Sequence, residues 1–284
     1  MGRWAHIAAL AATTVLWGTS FPAIKVVASG IDSFTYTWGR GSLAAAVLGP
    51  YIAYLALKGV LRREWVLGGL AAGSVYSLGI FFQGWGTSMT TASNSAFITG
   101  MNVVFVHAYQ ALRMRSYSPY LAASLALAVP GLWALTAPGT GFGLGDALVL
   151  VSAVFWAAQV IIVDRFSGSD PFVLAYFMIL PSTAFAIPSA LAGSLTRAPD
   201  PAVTASLTYL AIACTVAAFS LQAFGQRGVG PAATATIFLG EPLIGAVSSY
   251  LVLGETHGAL WFLGAGLVMS SIVLATLHEL RSGA

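Results

Sequence analysis

Ten apolar runs of about twenty residues each constrain this chain more than any other feature of its sequence. They fall at about 4–28, 33–57, 66–87, 91–112, 118–137, 145–164, 171–194, 202–224, 231–253 and 258–279. At roughly 1.5 Å per residue, a helix of that length crosses the hydrocarbon core of a bilayer, about 30 Å thick. The breaks carry turn and charged residues, as in "KGVLRRE", "RMRSYSP", "APGTGFGLGD" and "SLTRAPDP"; the shortest, "TSMT", separates the third run from the fourth. Barrel strands would alternate polar and apolar residues, whereas these runs are apolar all round. Only 7% of the 284 residues are charged, too few to cover the surface of a soluble fold, where about a quarter would be usual. The sequence therefore predicts an all-α integral membrane protein with ten transmembrane helices.

Basic residues set the expected orientation. One side of the membrane collects Arg3, Lys58, Arg62, Arg63, Arg113, Arg115, Arg165, Arg227 and Arg281, the other only Lys25 and Arg197. The positive-inside rule then puts both termini in the cytoplasm. The formal charge of +3 reflects this topology and implies no nucleic-acid partner. Arg3 and the small residues of "VVASG" have some features of a secretory signal, but Trp17, Pro22 and Lys25 interrupt the stretch, which reads as a retained first span. With one cysteine, Cys214, an intramolecular disulfide is excluded.

The chain also repeats itself. "VLWGTSFPAIKVV" from Val15 is echoed by "VFWAAQVIIVDRF" from Val154, "SGIDSF" (29–34) by "SGSDPF" (167–172), and "ASNSAFITGMNVV" (92–104) by "AATATIFLGEPLI" (232–244). The offset stays between 138 and 140 residues, so spans one to five pair with spans six to ten. Duplication is the better reading, with repeats at 1–140 and 141–284. Five crossings end on the side opposite their start, so the second copy enters inverted. Two inverted five-helix repeats around a central cavity are a common plan of secondary transporters.

Of eight tryptophans, Trp4, Trp38, Trp65, Trp85, Trp133 and Trp261 lie near span ends, as an interfacial belt would. Trp17 and Trp156 fall near the middle and are repeat mates. Each offers an aromatic face and one N–H donor, to a central cavity or simply to the core. Polar groups at membrane depth are costly and usually face a cavity or a partner. Glu241, followed by Pro242, could bind an ammonium group or carry a proton; equally, it could tie a kinked helix to its neighbour. Asn94, Asn102, Gln83, Gln159 and Gln222 could contact a zwitterion or act as glue between helices. Tyr76, Phe81 and Phe82 make the third span aromatic-rich, which suits an apolar pocket or lipid contact. Arg40 is expected to pair with Asp32 or another acid, and Lys25 to reach water from a span end.

Other classes find less support. "GLGD" (143–146) has the form used by intramembrane aspartyl proteases, but Asp146 and Asp164 lie at opposite ends of one span. There is no HExxH sequence for zinc and no Walker A sequence for ATP, so neither a metal nor a cofactor is expected, and no enzyme activity. A channel would be expected to show a ring of charges or a repeated filter loop.

With these motifs in place, the chain resembles the drug/metabolite transporter superfamily in its ten-helix EamA-type branch. The resemblance rests on "LWGTSFPAIK", "GEPLIGAVSSYLVLGE" (240–255) and the Gly-x-Gly of "FLGAGLVMSSIVL", and covers essentially the whole chain. The first half departs from it, since "GMNVVFVHAYQALRMR" lacks the corresponding Pro and Glu. The resemblance implies export of small metabolites through a bacterial inner membrane, and is closest to exporters of aromatic and other neutral amino acids. Sugar-phosphate and nucleotide-sugar relatives would need basic residues at midplane, and the sequence places none there. The expected partners are then an amino-acid substrate and the lipid bilayer, and one chain would suffice. Trp17, Tyr76, Phe82 and Trp156 would face the substrate side chain, and Asn102, Gln159 and Glu241 its polar ends. A multidrug exporter of the same fold, a passive pore and a membrane scaffold are the alternatives.

Overall fold

A computed structural model describes residues 2–113, 118–136, 142–193, 200–256 and 258–281. Arg115, Arg197 and His257 lie outside them. The described residues are helical, with no strand. In chain order the helices are α1 (Arg3–Gly18), α2 (Ser20–Gly30), α3 (Ser33–Leu57), α4 (Arg63–Met89), α5 (Ala92–Gly100), α6 (Asn102–Arg113), α7 (Pro119–Thr136) and α8 (Leu144–Phe166). There follow α9 (Pro171–Ile179), α10 (Ala186–Leu191), α11 (Pro201–Ala211), α12 (Ala218–Gly225), α13 (Pro231–Ile237), α14 (Gly240–Leu253) and α15 (Ala259–Arg281). A 3-10 segment, Leu180–Phe185, joins α9 to α10, and a π-helical turn, Ile212–Ala217, joins α11 to α12.

Among the described residues, seven stretches are long and apolar enough to cross a membrane: Arg3–Gly30, Ser33–Leu57, Arg63–Met89, Leu144–Phe166, Pro171–Leu191, Pro201–Gly225 and Pro231–Leu253. Pro119–Gly131 and Ala259–Leu274 are shorter apolar helices. The run expected at 91–112 is two short helices, α5 and α6, broken at Met101.

The helix starts follow from local chemistry. Asp32 accepts hydrogen bonds from the backbone N–H groups of Phe34 and Thr35, and Asp170 does the same for Phe172 and Val173. The acid shared by "SGIDSF" and "SGSDPF" is thus an N-cap in both places, satisfying donors that a first turn leaves open. Pro171, Pro201 and Pro231 begin their helices, where a missing N–H costs nothing. Gly254, at φ 71°, ends α14.

α4 lies along α8, α1 packs on α12 and α14, and α2 on α11; α8 also meets α5 and α6, while α7 pairs with α15. The α4–α8 crossing is tight because glycine meets glycine: a Cβ on Gly86 would sit 2.6 Å from the Gly145 carbonyl oxygen, and one on Gly145 would sit 2.9 Å from that of Gly86. Small residues are what let helices approach this closely when the surrounding solvent is lipid.

Charged side chains fasten the turn between α4 and α5. Lys25 Nζ donates to the carbonyls of Thr87, Ser88 and Thr90, at the C-terminal end of α4. Expected to reach for water, Lys25 instead binds orphan carbonyls with a charge that suits that end of the helix dipole. Glu255 accepts from the N–H groups of Ala92 and Ser93, both at 3.0 Å, and from the Ser93 hydroxyl, at the start of α5. The last residue of the "EP…LGE" phrase is therefore a remote N-terminal cap. Glu255→Ala should lower stability by about 1–3 kcal/mol, the worth of charge-assisted bonds, seen as a lower unfolding midpoint in detergent. An unchanged midpoint would show that the turn holds without it.

Candidate functional site

The chain breaks its helices around one central cavity. α5 gives way to α6 at Met101, and α13 to α14 at Phe238–Leu239, so that Asn102 and Glu241 each stand in a first helical turn facing the same space. Pro242 sits in the first turn of α14, where its missing N–H is tolerated, and the helix break lies just before it. The Ile237 carbonyl beside that break accepts from the Thr14 hydroxyl at 3.5 Å.

Trp17, Ser20, Phe21, Arg40, Ile80, Gln83, Thr99, Asn102, Trp156, Gln159, Val160, Phe219, Phe238 and Glu241 line the cavity. It is narrow: the space open to the centres of water molecules is about 30 Å³. At roughly 10–15 Å³ per water, this holds two or three waters, far short of an aromatic amino acid with about a dozen non-hydrogen atoms.

Most of the lining comes in pairs 139 residues apart: Trp17 with Trp156, Ser20 with Gln159, Phe21 with Val160, Ile80 with Phe219, Thr99 with Phe238 and Asn102 with Glu241. Five of the seven residues singled out from sequence are in this lining. Phe219, which sequence reasoning missed, stands between the two indoles, 4.9 Å from the Trp17 ring and stacked on Trp156 at 6.2 Å. Its signal was available, because it is one constant offset from Ile80 in the aromatic-rich third span.

The other two lie outside the lining. Tyr76 is fully buried behind it, edge-on to Trp156 at 5.9 Å and to Phe219 at 5.0 Å, so it braces the aromatic wall. Phe82 points elsewhere, stacked on Phe155 at 5.9 Å and near Phe81 and Trp85. On a helix, residues 80 and 83 share a face that residue 82 does not.

The polar groups differ in how far they are already engaged. Trp17 Nε1 donates to the Cys214 carbonyl at 2.9 Å, whereas the buried Trp156 Nε1 has no partner among the described residues. Gln159 is locked to Gln222 by reciprocal amide bonds of 2.9 and 3.1 Å, and Gln222 continues to Gln226. Its helix-joining role is realised, and it shows the cavity an amide that is already occupied. Asn102 Oδ1 is buried without a partner among the described residues. Glu241, 6% exposed, makes no side-chain hydrogen bond with any described residue, although the first turn of α14 favours its negative charge. Asn102 and Trp156 thus each bring a buried polar atom without a partner among the described residues, and Glu241 a carboxyl group, to the lining of one small space. Such groups are rare unless a ligand or water completes them.

Arg40 corrects the expectation drawn from sequence. It pairs with no acid among the described residues, and Asp32 serves as the cap of α3. At 2% exposure, its Nε donates to Thr215 Oγ1 (2.7 Å), Nη1 to the Tyr36 hydroxyl (2.7 Å) and Nη2 to the Cys214 carbonyl (3.2 Å). A cation therefore does line the central cavity, where no basic residue was expected.

The comparisons with known proteins agree with this architecture. The chain is 26% identical over 271 residues to an uncharacterized transporter of Archaeoglobus fulgidus, covering 95% of this chain and 85% of that one. It is 23% identical over 282 residues to a probable terminal-alkyne amino-acid exporter of Streptantibioticus cattleyicolor, covering 96% and 93%. A crystal structure with 17% identity superposes at a TM-score of 0.73, over 97% of this chain and 98% of that one, which shows a shared fold. The profile of one family of transporters matches twice, at residues 3–137 and 143–277, and the chain belongs to that family, the EamA-like transporter family.

Proposed function

We propose that this transporter carries amino acids with aromatic or other neutral side chains out of the cytoplasm, by alternating access between two inverted five-helix halves, 1–140 and 141–284. The observation that carries the reading is the lining of the cavity, closed here to the size of a few waters and exposed to substrate when the halves part, with paired aromatic walls and residues that carry an unpartnered donor and an unpartnered acceptor. Such a lining suits a small molecule with an apolar body and a polar, zwitterionic head.

Inversion of the halves is supported by the pairing of the lining at a constant offset, and by the packing. Exchanging each helix for its mate turns the contact of α4 with α8 into that of α12 with α1, and the contacts of α5 and α6 with α8 into that of α14 with α1. The narrowness of the cavity favours a carrier over a passive pore, since a pore needs a continuous path. An exporter named for an amino acid among the relatives supports the substrate class. Both termini lie in the cytoplasm of a bacterial inner membrane in this reading.

Liposomes holding the purified protein provide the test. Labelled phenylalanine should enter saturably, compete with methionine and threonine, and ignore a sugar nucleotide. Trp156→Phe, which keeps the ring stacking and removes the unpaired N–H, should weaken apparent affinity about tenfold. Flux rising linearly with concentration would establish a pore, and the absence of amino-acid flux would overturn the substrate class.

A further inference from the structure

We infer that Arg40 is the anion-binding pole of the cavity, the group that takes the substrate's carboxylate; the inference rests on the amino-acid reading for the identity of that substrate. Among the lining residues only Arg40 and Gln83 have no lining mate at the 139-residue offset, and the position matching Arg40 is Ile179. Arg40 is therefore an exception to the pairing of the lining, and the one cation among the described residues that form it.

Three neighbours accept from the guanidinium, one at each nitrogen, and all three are neutral: a threonine hydroxyl, a tyrosine hydroxyl and a backbone carbonyl. A guanidinium has five N–H groups, so one remains on each terminal nitrogen, two donors for the oxygens of a carboxylate. It forms no ion pair with an acid among the described residues, and burying an unpaired charge is costly. An incoming carboxylate supplies both the missing charge and the missing acceptors.

The π-helical turn fixes where this pole sits. The Cys214 carbonyl within that turn accepts from Arg40 and also from Trp17 Nε1. Cation and indole therefore converge on one oxygen atom, which puts the anion site beside an aromatic wall. Glu241 enters the same cavity from α14, on a different helix. A zwitterion would span the two, its carboxylate at Arg40 and its ammonium at Glu241. This defines a selectivity: ligands lacking a carboxylate lose the Arg40 contact, whatever their side chain.

Ligand-dependent thermal stabilisation of the purified full-length protein tests this with four probes: phenylalanine, phenylalanine amide, phenethylamine and 3-phenylpropanoate. Phenylalanine should bind at least about 30-fold more tightly than phenethylamine or the amide, the usual penalty for truncating one partner of a buried charge pair. Arg40→Gln should reduce that ratio to within about threefold, with Arg40→Lys intermediate because a point charge replaces a fork. Equal binding of phenylalanine and phenethylamine to the unaltered protein would overturn the assignment, as would an unchanged ratio in Arg40→Gln. Should Arg40→Gln not fold, the four probes on the unaltered protein decide the matter by themselves. Binding of 3-phenylpropanoate without phenylalanine would overturn the amino-acid reading and leave the anion pole standing. If neither carboxylate stabilises the protein, both fall.

Discussion

Glu241→Gln is expected to cut saturable amino-acid transport about a hundredfold while leaving the amount of folded protein in the membrane unchanged. The size follows from removing one partner of a desolvated charge pair, typically about 2–5 kcal/mol. The selectivity of the effect follows from the surroundings of the side chain. Had Glu241 tied α14 to a neighbouring helix, its carboxyl oxygens would carry hydrogen bonds that glutamine could only partly replace. They carry none with the described residues, and the backbone beside them is satisfied through Glu241 N to the Phe238 carbonyl. Glutamine keeps the shape and loses the charge and the ability to exchange a proton. Retained transport would return Glu241 to a structural role, and loss of folded protein would point to a helix tie after all. Membrane quantity and flux, measured on the same preparation, separate the three.

Gly86→Val should have the opposite signature: little or no folded protein, and therefore no transport to measure. The Cβ alone would stand 2.6 Å from the Gly145 carbonyl oxygen and 2.9 Å from the Val149 backbone nitrogen. Both are backbone atoms of α8, so no side chain can rotate away, and the helices would have to part. Overpacking of a formed interface costs about 1–3 kcal/mol and more where backbone must move. In this protein the interface is the long one between α4 and α8, which also carries Ile80, Gln83, Trp156 and Gln159 to the cavity. Gly84→Ala makes an informative comparison, because its Cβ would meet the ring of Tyr36, at 2.5 Å, rather than backbone. A Gly86→Val protein that folds and transports like the unaltered one would show that α4 and α8 can separate without cost.

Much of the site was legible in the residues. The pairing of Trp17 with Trp156 pointed to the cavity, and the offset that joins them also joins Asn102 to Glu241 and Ile80 to Phe219. A constant offset survives as spatial correspondence because each half folds by its own local rules, such as the aspartate caps at Asp32 and Asp170. Phe82 was misplaced because composition marks a helix as aromatic without saying which face each ring occupies. Arg40 was misjudged for a different reason. Two of its partners, Cys214 and Thr215, lie 174 and 175 residues away in the chain, the third is Tyr36 one turn before it, and all are neutral, so no charge pattern could announce them.

The sequence by itself determined the solvent, the helical class and the family, because apolar run length, charge scarcity and motif are properties of the chain read in order. Tertiary structure decided which polar groups are spent and which are left facing the cavity. Gln159 and Trp17 are engaged by Gln222 and Cys214, while Asn102 Oδ1 and Trp156 Nε1 have no partner among the described residues. That difference depends on where a second helix places its acceptors, to within an ångström or so, and hydrogen bonds weaken steeply beyond such a margin.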